Sequence, residues 1–270
     1  MIDFIETIFS YGFITRAFVV GIMISVCAAV LGVVLVLKRY SMIGDGLSHI
    51  SFGALALATV FGVAPLKIAI PVVTVASVIL LRLNSKKIKG DSLIAIISSS
   101  SLALGIALIS YSGSSADMNS YLIGSMYAID KSDMSSAIIL CICVLVIFIL
   151  MYNKIFSVTF DEEFARATGV KTGVYNTTVA ILVSVTVVVG IRLMGALLIS
   201  ALVVFPALSS MRVFKSFFSV TISSVVISII SFMCGFVLTL ILDNIPTGAC
   251  ITLVNLLFFI IFSLIGMKRR

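Results

Sequence analysis

The chain has 270 residues, of which 61% are hydrophobic and only 11% charged, with a mean hydropathy of +1.31 and a formal net charge of +7. A soluble domain cannot hide that much apolar surface, whereas a bilayer accepts it on the outside of a helical bundle. No polar stretch is long enough to encode an extramembrane domain. The expectation is one all-α domain over residues 1–270, a polytopic transmembrane bundle solvated by lipid, with no nucleic-acid partner.

A helix needs about 20 apolar residues to cross the hydrocarbon core. Taken in chain order, the candidate spans are Phe13–Leu37, Met42–Val63, Leu66–Leu81, Leu93–Tyr111, Ser136–Tyr152, Val174–Ile191, Met194–Met211, Phe217–Leu242 and Thr247–Met267. The third is short, and the sixth and seventh nearly merge around Gly190–Gly195, so the count is eight to nine. The first ten residues hold Asp3 and Glu6 and no basic start, unlike a cleavable signal peptide. Basic residues in short loops mark the cytoplasmic side. Here they follow the odd-numbered spans: Lys38 and Arg39, then Arg82, Lys86, Lys87 and Lys89, then Lys154, Arg166 and Lys171, then Arg212 and Lys215, then Lys268, Arg269 and Arg270. The opposite loops carry Asp117, Asp130, Asp133 and Asp243, with Lys131 the plainly basic exception. This alternation predicts nine spans, an outside N-terminus and a cytoplasmic C-terminus.

Several residues at membrane depth ask for a reason, because burying polarity there is costly. Asp45 and His49 are four apart in the second span, which puts them on one helical face. Counting from Arg39 at about 1.5 Å per residue, Asp45 lies roughly 9 Å deep and His49, the sole histidine, roughly 15 Å deep. The pair suits a divalent transition metal such as Mn²⁺ or Zn²⁺, and two copies of the chain face to face supply four ligands. An Asp–His hydrogen bond that fastens two helices, a pairing of Asp45 with an arginine, and a proton relay are the alternatives. Arg192 and Arg16, near outer helix ends, are read as snorkelling, with a role in a gate or pathway open for Arg192. Pro206 interrupts the seventh span; broken helices occur on substrate pathways, and a packing kink is the other reading. Gly21, Gly32, Gly53, Gly105, Gly195 and Gly235 are read as packing positions. The five cysteines sit in apolar stretches; Cys141 and Cys143 resemble one arm of a zinc site with no second arm, so inert buried thiols are expected.

The longest polar stretch is the loop 153–172. Within it Asp161 caps a two-turn helix with Glu162 and Glu163 in its first turn, and Gly169 stops it. Such a helix suits docking into a partner's groove, or simply connects two spans along the interface. The chain has no phosphate-binding loop, so ATP energy, if used, comes from another protein.

The stretch Leu37–His49 (LKRYSMIGDGLSH) resembles the signature of the zinc/manganese/iron-type ABC transporter permeases, the ABC-3 family. So do Gly90-Asp91-Ser92 leading into Ser101–Gly105, Asp117–Gly124, the loop Phe160–Gly169, Gly190–Leu198 (GIRLMGALL) and Pro246–Ala249 (PTGA). The resemblance runs in order along nearly the whole chain. It implies a multi-pass bacterial plasma-membrane permease, not itself an enzyme. Two permease copies pair with two cytoplasmic ATP-binding subunits, and an extracellular or periplasmic metal-binding protein delivers Mn²⁺ or Zn²⁺, with iron also within the family. It implies no permanently bound cofactor, a metal path lined by Asp45 and His49, and an ATPase-coupling loop containing Asp161, Glu162, Glu163, Ala165 and Gly169. A proton- or sodium-coupled secondary transporter is the rival reading.

Overall fold

The computed structural model describes residues 11–83, 90–112, 130–242 and 245–268. The segment 117–124 lies outside the described residues, as do Lys86, Lys87, Lys89, Asp243, Arg269 and Arg270. The described chain is helical: α1 Gly12–Leu37, α2 Ile43–Val60, α3 Pro65–Leu83, α4 Gly90–Ser112, α5 Lys131–Phe160, α6 Glu162–Ala167, α7 Thr172–Met194, α8 Ala196–Val213, α9 Phe217–Ile241 and α10 Thr247–Lys268. Eight of these are long and apolar enough to cross a membrane, and the expected third span appears as the shorter apolar stretch Pro65–Leu81.

Burial separates the helices into a centre and a shell. Every residue of α1 from Cys27 to Leu35 is buried, so this helix is apolar and enclosed on all sides. It packs against α5, α7, α8 and α9. The second enclosed helix, α2, is held by α3, α4, α7 and α8. By contrast α4, α5 and α10 turn long apolar faces outward, including Leu104, Ile149, Leu150 and Leu257. These are the surfaces that lipid covers.

Glycine sets how closely the central helices approach. A Cβ on Gly32 would lie 1.9 Å from the Val203 carbonyl oxygen, and the Val203 side chain stands 3.5 Å from the corresponding position at Gly44. One valine of α8 is thus seated on α1 and α2 together, at the start of the helix that carries Asp45. Gly53 meets the Ser101 carbonyl oxygen in the same way, at 2.6 Å, and clamps α4 to α2. Gly32→Leu therefore collides with backbone, and we expect a loss of about 3 kcal/mol. A lowered melting temperature of the purified variant in detergent checks this, and an unchanged one contradicts it. Serine supplies polar contacts between helices. Ser228 Oγ donates to the Ser25 carbonyl oxygen at 3.0 Å, and Ser231 Oγ to Asn255 Oδ1 at 2.9 Å, tying α9 to α1 and α10.

Several details differ from the sequence reading. The fifth span was expected to end at Tyr152, but α5 runs on to Phe160, about 45 Å at 1.5 Å per residue. Asn153 and Lys154 make that end look like loop. Phe156 and Phe160 nevertheless pack against Phe217, tilted and edge-on with ring centroids 5.3 and 6.1 Å away, and no glycine or proline lies between Lys131 and Asp161 to stop the helix. Gly195 is a joint rather than a packing position. Its φ of +87° ends α7 at Met194 and lets α8 begin at the next residue. Pro206 is buried and does not break α8, which continues through it to Val213. Cys27, Cys141 and Cys250 are buried, while Cys143 and Cys234 are exposed on the flanks of α5 and α9.

Candidate metal site and docking loop

A short turn, Lys38–Met42, links α1 to α2 and positions the first candidate residues. Arg39 adopts a left-handed backbone (φ +62°), and the Tyr40 amide donates to the Leu35 carbonyl at 2.8 Å, closing α1 with a Schellman-type end. Ile43 starts α2, and Asp45 stands in its first turn, where the positive end of the helix dipole favours a carboxylate. Along the first two turns of α2 only Met42, Asp45 and His49 remain accessible, at i, i+3 and i+7. The enclosed helix therefore opens along one stripe, and that stripe carries both ionisable residues.

Asp45 Oδ2 and His49 Nε2 are 3.6 Å apart, with 56% and 30% of the two side chains exposed. The separation is too long for a hydrogen bond and leaves both atoms available to a third partner. Nδ1 of His49 is buried without a hydrogen-bond partner among the described residues, so none of them holds the ring from behind. Among the described residues no three His, Cys, Asp or Glu side chains gather closely enough to hold a metal. One protomer offers a two-ligand half-site.

The other sequence candidates lie at both ends of the bundle. Asp161 Oδ1 accepts the Phe164 amide at 2.8 Å and caps α6 as its side chain predicts. Glu162 and Glu163 fill the first turn of α6, Ala165 is buried, and Gly169 takes a left-handed conformation (φ +84°) just past the end. The outward side of α6 shows Glu163 and Phe164, the latter 63% exposed. At the opposite end Arg192 Nη2 pairs with Asp133 Oδ1 at 2.9 Å and ties α7 to α5. This pairing replaces the expected snorkelling; the residues are distant in sequence, and the only signal was acidic character on the same side. Pro206 sits one turn along α8 from Val203.

Sequence reasoning missed a cavity of about 420 Å³ next to α6, whose mixed lining joins Leu35 and Val158 to the polar Lys38, Glu162, Arg166 and Asn176. Lys38 Nζ donates a hydrogen bond to Asn176 Oδ1, and Asn176 Nδ2 donates to Glu162 Oε1 at 3.1 Å. Burial pushes the Lys38 ammonium below the ordinary lysine range, while the Glu162 carboxylate works in the opposite direction. Glu162 also lies 3.6 Å from Arg166 on the exposed side of α6.

An all-helical bundle with lipid-facing flanks and an ionisable pair on one of its enclosed helices has the architecture of a polytopic membrane protein. Residues 10–266 match the family described as the ABC 3 transport family, and the chain belongs to it. It is accordingly a multi-pass protein of the cell membrane. It is similar to the manganese import system permease protein ScaB of Streptococcus parasanguinis, at 29% identity over 99% of this chain and 96% of the relative. A probable metal transport system membrane protein of Thermotoga maritima is 30% identical over 96% and 92%. Among solved structures, PsaBC from Streptococcus pneumoniae in complex with Fab superposes with a TM-score of 0.86 at 27% identity, covering 97% of this chain and 95% of that one.

Proposed function

We propose that this chain is the permease subunit of an ATP-driven importer of a divalent transition metal, manganese or zinc, with iron chemically acceptable. The observation that carries it is the Asp45–His49 half-site, held open on an otherwise enclosed helix of a chain in the ABC 3 transport family. The relatives named for manganese and metal transport support the same cargo. In this reading residues 1–270 form one transmembrane domain, and two copies pair so that two aspartates and two histidines surround a dehydrated cation. The end carrying Lys38, Lys171, Arg212 and Lys268 faces the cytoplasm. An ATP-binding subunit docks on α6 there, and a metal-binding protein delivers cargo at the other end. The half-site binds and orients the cation, and ATP-driven rearrangement opens the path alternately to either side.

The rival, a proton- or sodium-coupled transporter, needs no docking helix. Proteoliposomes holding the permease with its ATPase and binding protein distinguish the two. Uptake of radioactive metal that requires internal-facing ATP, and persists with no ion gradient, is the expected result. Uptake driven by a proton or sodium gradient without ATP contradicts it.

Metal binding requires neutral His49 and ionised Asp45. Uptake should fall as the medium is acidified and the His49 imidazole takes up a proton in place of the metal. Initial uptake rates between pH 8 and pH 5.5 check this, and a flat profile counts against the site.

A further inference from the structure

We propose that Asn176 is a positioning residue for transport, the centre of a polar relay Lys38–Asn176–Glu162 that transmits movement of α6 to the helix bearing the metal half-site. The inference rests on the permease reading above and adds a connection between its two candidate sites.

The geometry assigns the amide a defined orientation. Its oxygen accepts from the Lys38 ammonium and its nitrogen donates to the Glu162 carboxylate, so each end meets a charge of the sign it prefers. The reversed amide would oppose both charges. Around this chain of contacts lies the 420 Å³ cavity, which means that the polar bridge crosses space the surrounding side chains leave open. α6 packs chiefly on its sequence neighbours α5 and α7, the latter carrying Asn176.

Each end of the relay leads to a functional element. Glu162 is in the first turn of α6, beside the exposed Glu163 and Phe164. Lys38 caps α1 and lies seven residues before Asp45. The segment between is stiff: Arg39 is locked left-handed, the Tyr40 amide bonds back to Leu35, and the Ile43 amide bonds to the Tyr40 carbonyl at 3.0 Å. A shift of α6 that pulls Glu162 therefore moves Asn176 and Lys38, and the turn carries that shift into the first turn of α2. A simple packing contact would not require charges of opposite sign at the two ends of an amide, nor an open cavity around them.

The test uses the complete transporter in proteoliposomes and reads metal ions moved per ATP hydrolysed, with Mn²⁺ and Zn²⁺ as the probes. Asn176→Leu keeps the γ-branched side-chain shape and removes both hydrogen bonds. We expect it to co-purify with the ATPase and hydrolyse ATP within about twofold of wild type, while ions moved per ATP fall at least tenfold. Asn176→Asp places a second carboxylate against Glu162 and should be equally uncoupled. Adding Glu162→Gln lets the new carboxylate accept from both neighbours, and the double variant should recover at least half of the wild-type ratio. A purely structural role predicts that uptake and hydrolysis fall together and that the double variant gains nothing; that pattern overturns the relay. So does a wild-type ratio in Asn176→Leu. If the wild-type assembly moves neither metal on ATP, the permease reading fails and takes the relay with it, whereas robust wild-type transport with an indifferent Asn176 removes the relay alone.

Discussion

Replacing His49 with alanine weakens equilibrium binding of divalent metal to the purified permease by at least about 100-fold, because the change removes half of the ligands from every half-site. Asp45 and His49 are the accessible ionisable residues of α2, 3.6 Å apart and free of hydrogen bonds to each other. No third His, Cys, Asp or Glu among the described residues stands ready to substitute. Folding should be nearly unaffected, since His49 is partly exposed and its Nδ1 has no protein partner to lose. An alternative in which the pair merely fastens helices predicts the reverse: a lowered melting temperature and unchanged metal affinity. Titration of both proteins with Mn²⁺ and Zn²⁺, beside a thermal melt, separates the two.

Gly169→Val weakens coupling, with metal uptake down about tenfold while ATP hydrolysis continues. A Cβ at Gly169 meets nothing within 4 Å, so space is not the obstacle. The obstacle is the backbone: φ is +84°, where a β-branched residue is strained by about 1–3 kcal/mol. Relieving that strain reorients the exit from α6. It disturbs the Gly169 amide, which donates to the Arg166 carbonyl at 3.0 Å, and the neighbouring Val170 amide, which donates to that of Ala165 at 3.0 Å. Ala165 is fully buried, so a shift there moves the whole short helix on its support. Reconstituted assays of uptake and hydrolysis in parallel check this. Equal loss of both, or no loss of either, contradicts a coupling role for the loop.

The parts of the fold legible in sequence are those written in local signals. The spacing of Asp45 and His49 places them on one face of α2 without knowledge of any other helix. Asp161 and Gly169 bracket α6 because a cap and a left-handed stop act within a few residues of themselves. What stayed hidden depends on contacts between distant segments. The last turns of α5 look polar until Phe156 and Phe160 meet Phe217. Arg192 finds Asp133, and Lys38 finds Asn176, only after the bundle assembles. Asn176 illustrates the limit: in the first turns of α7 it reads as an ordinary polar residue at a helix start, and its partners come from two other helices.

The central claim is that a transition metal crosses the membrane through the Asp45–His49 half-sites of this permease. Accumulation of radioactive Mn²⁺ and Zn²⁺ in cells expressing the complete transporter, wild type against His49→Ala at matched membrane abundance, tests it most directly. The account predicts that wild-type cells accumulate one of the two metals and that this accumulation collapses in the variant. Normal accumulation in the variant would contradict it and place the metal path elsewhere in the bundle.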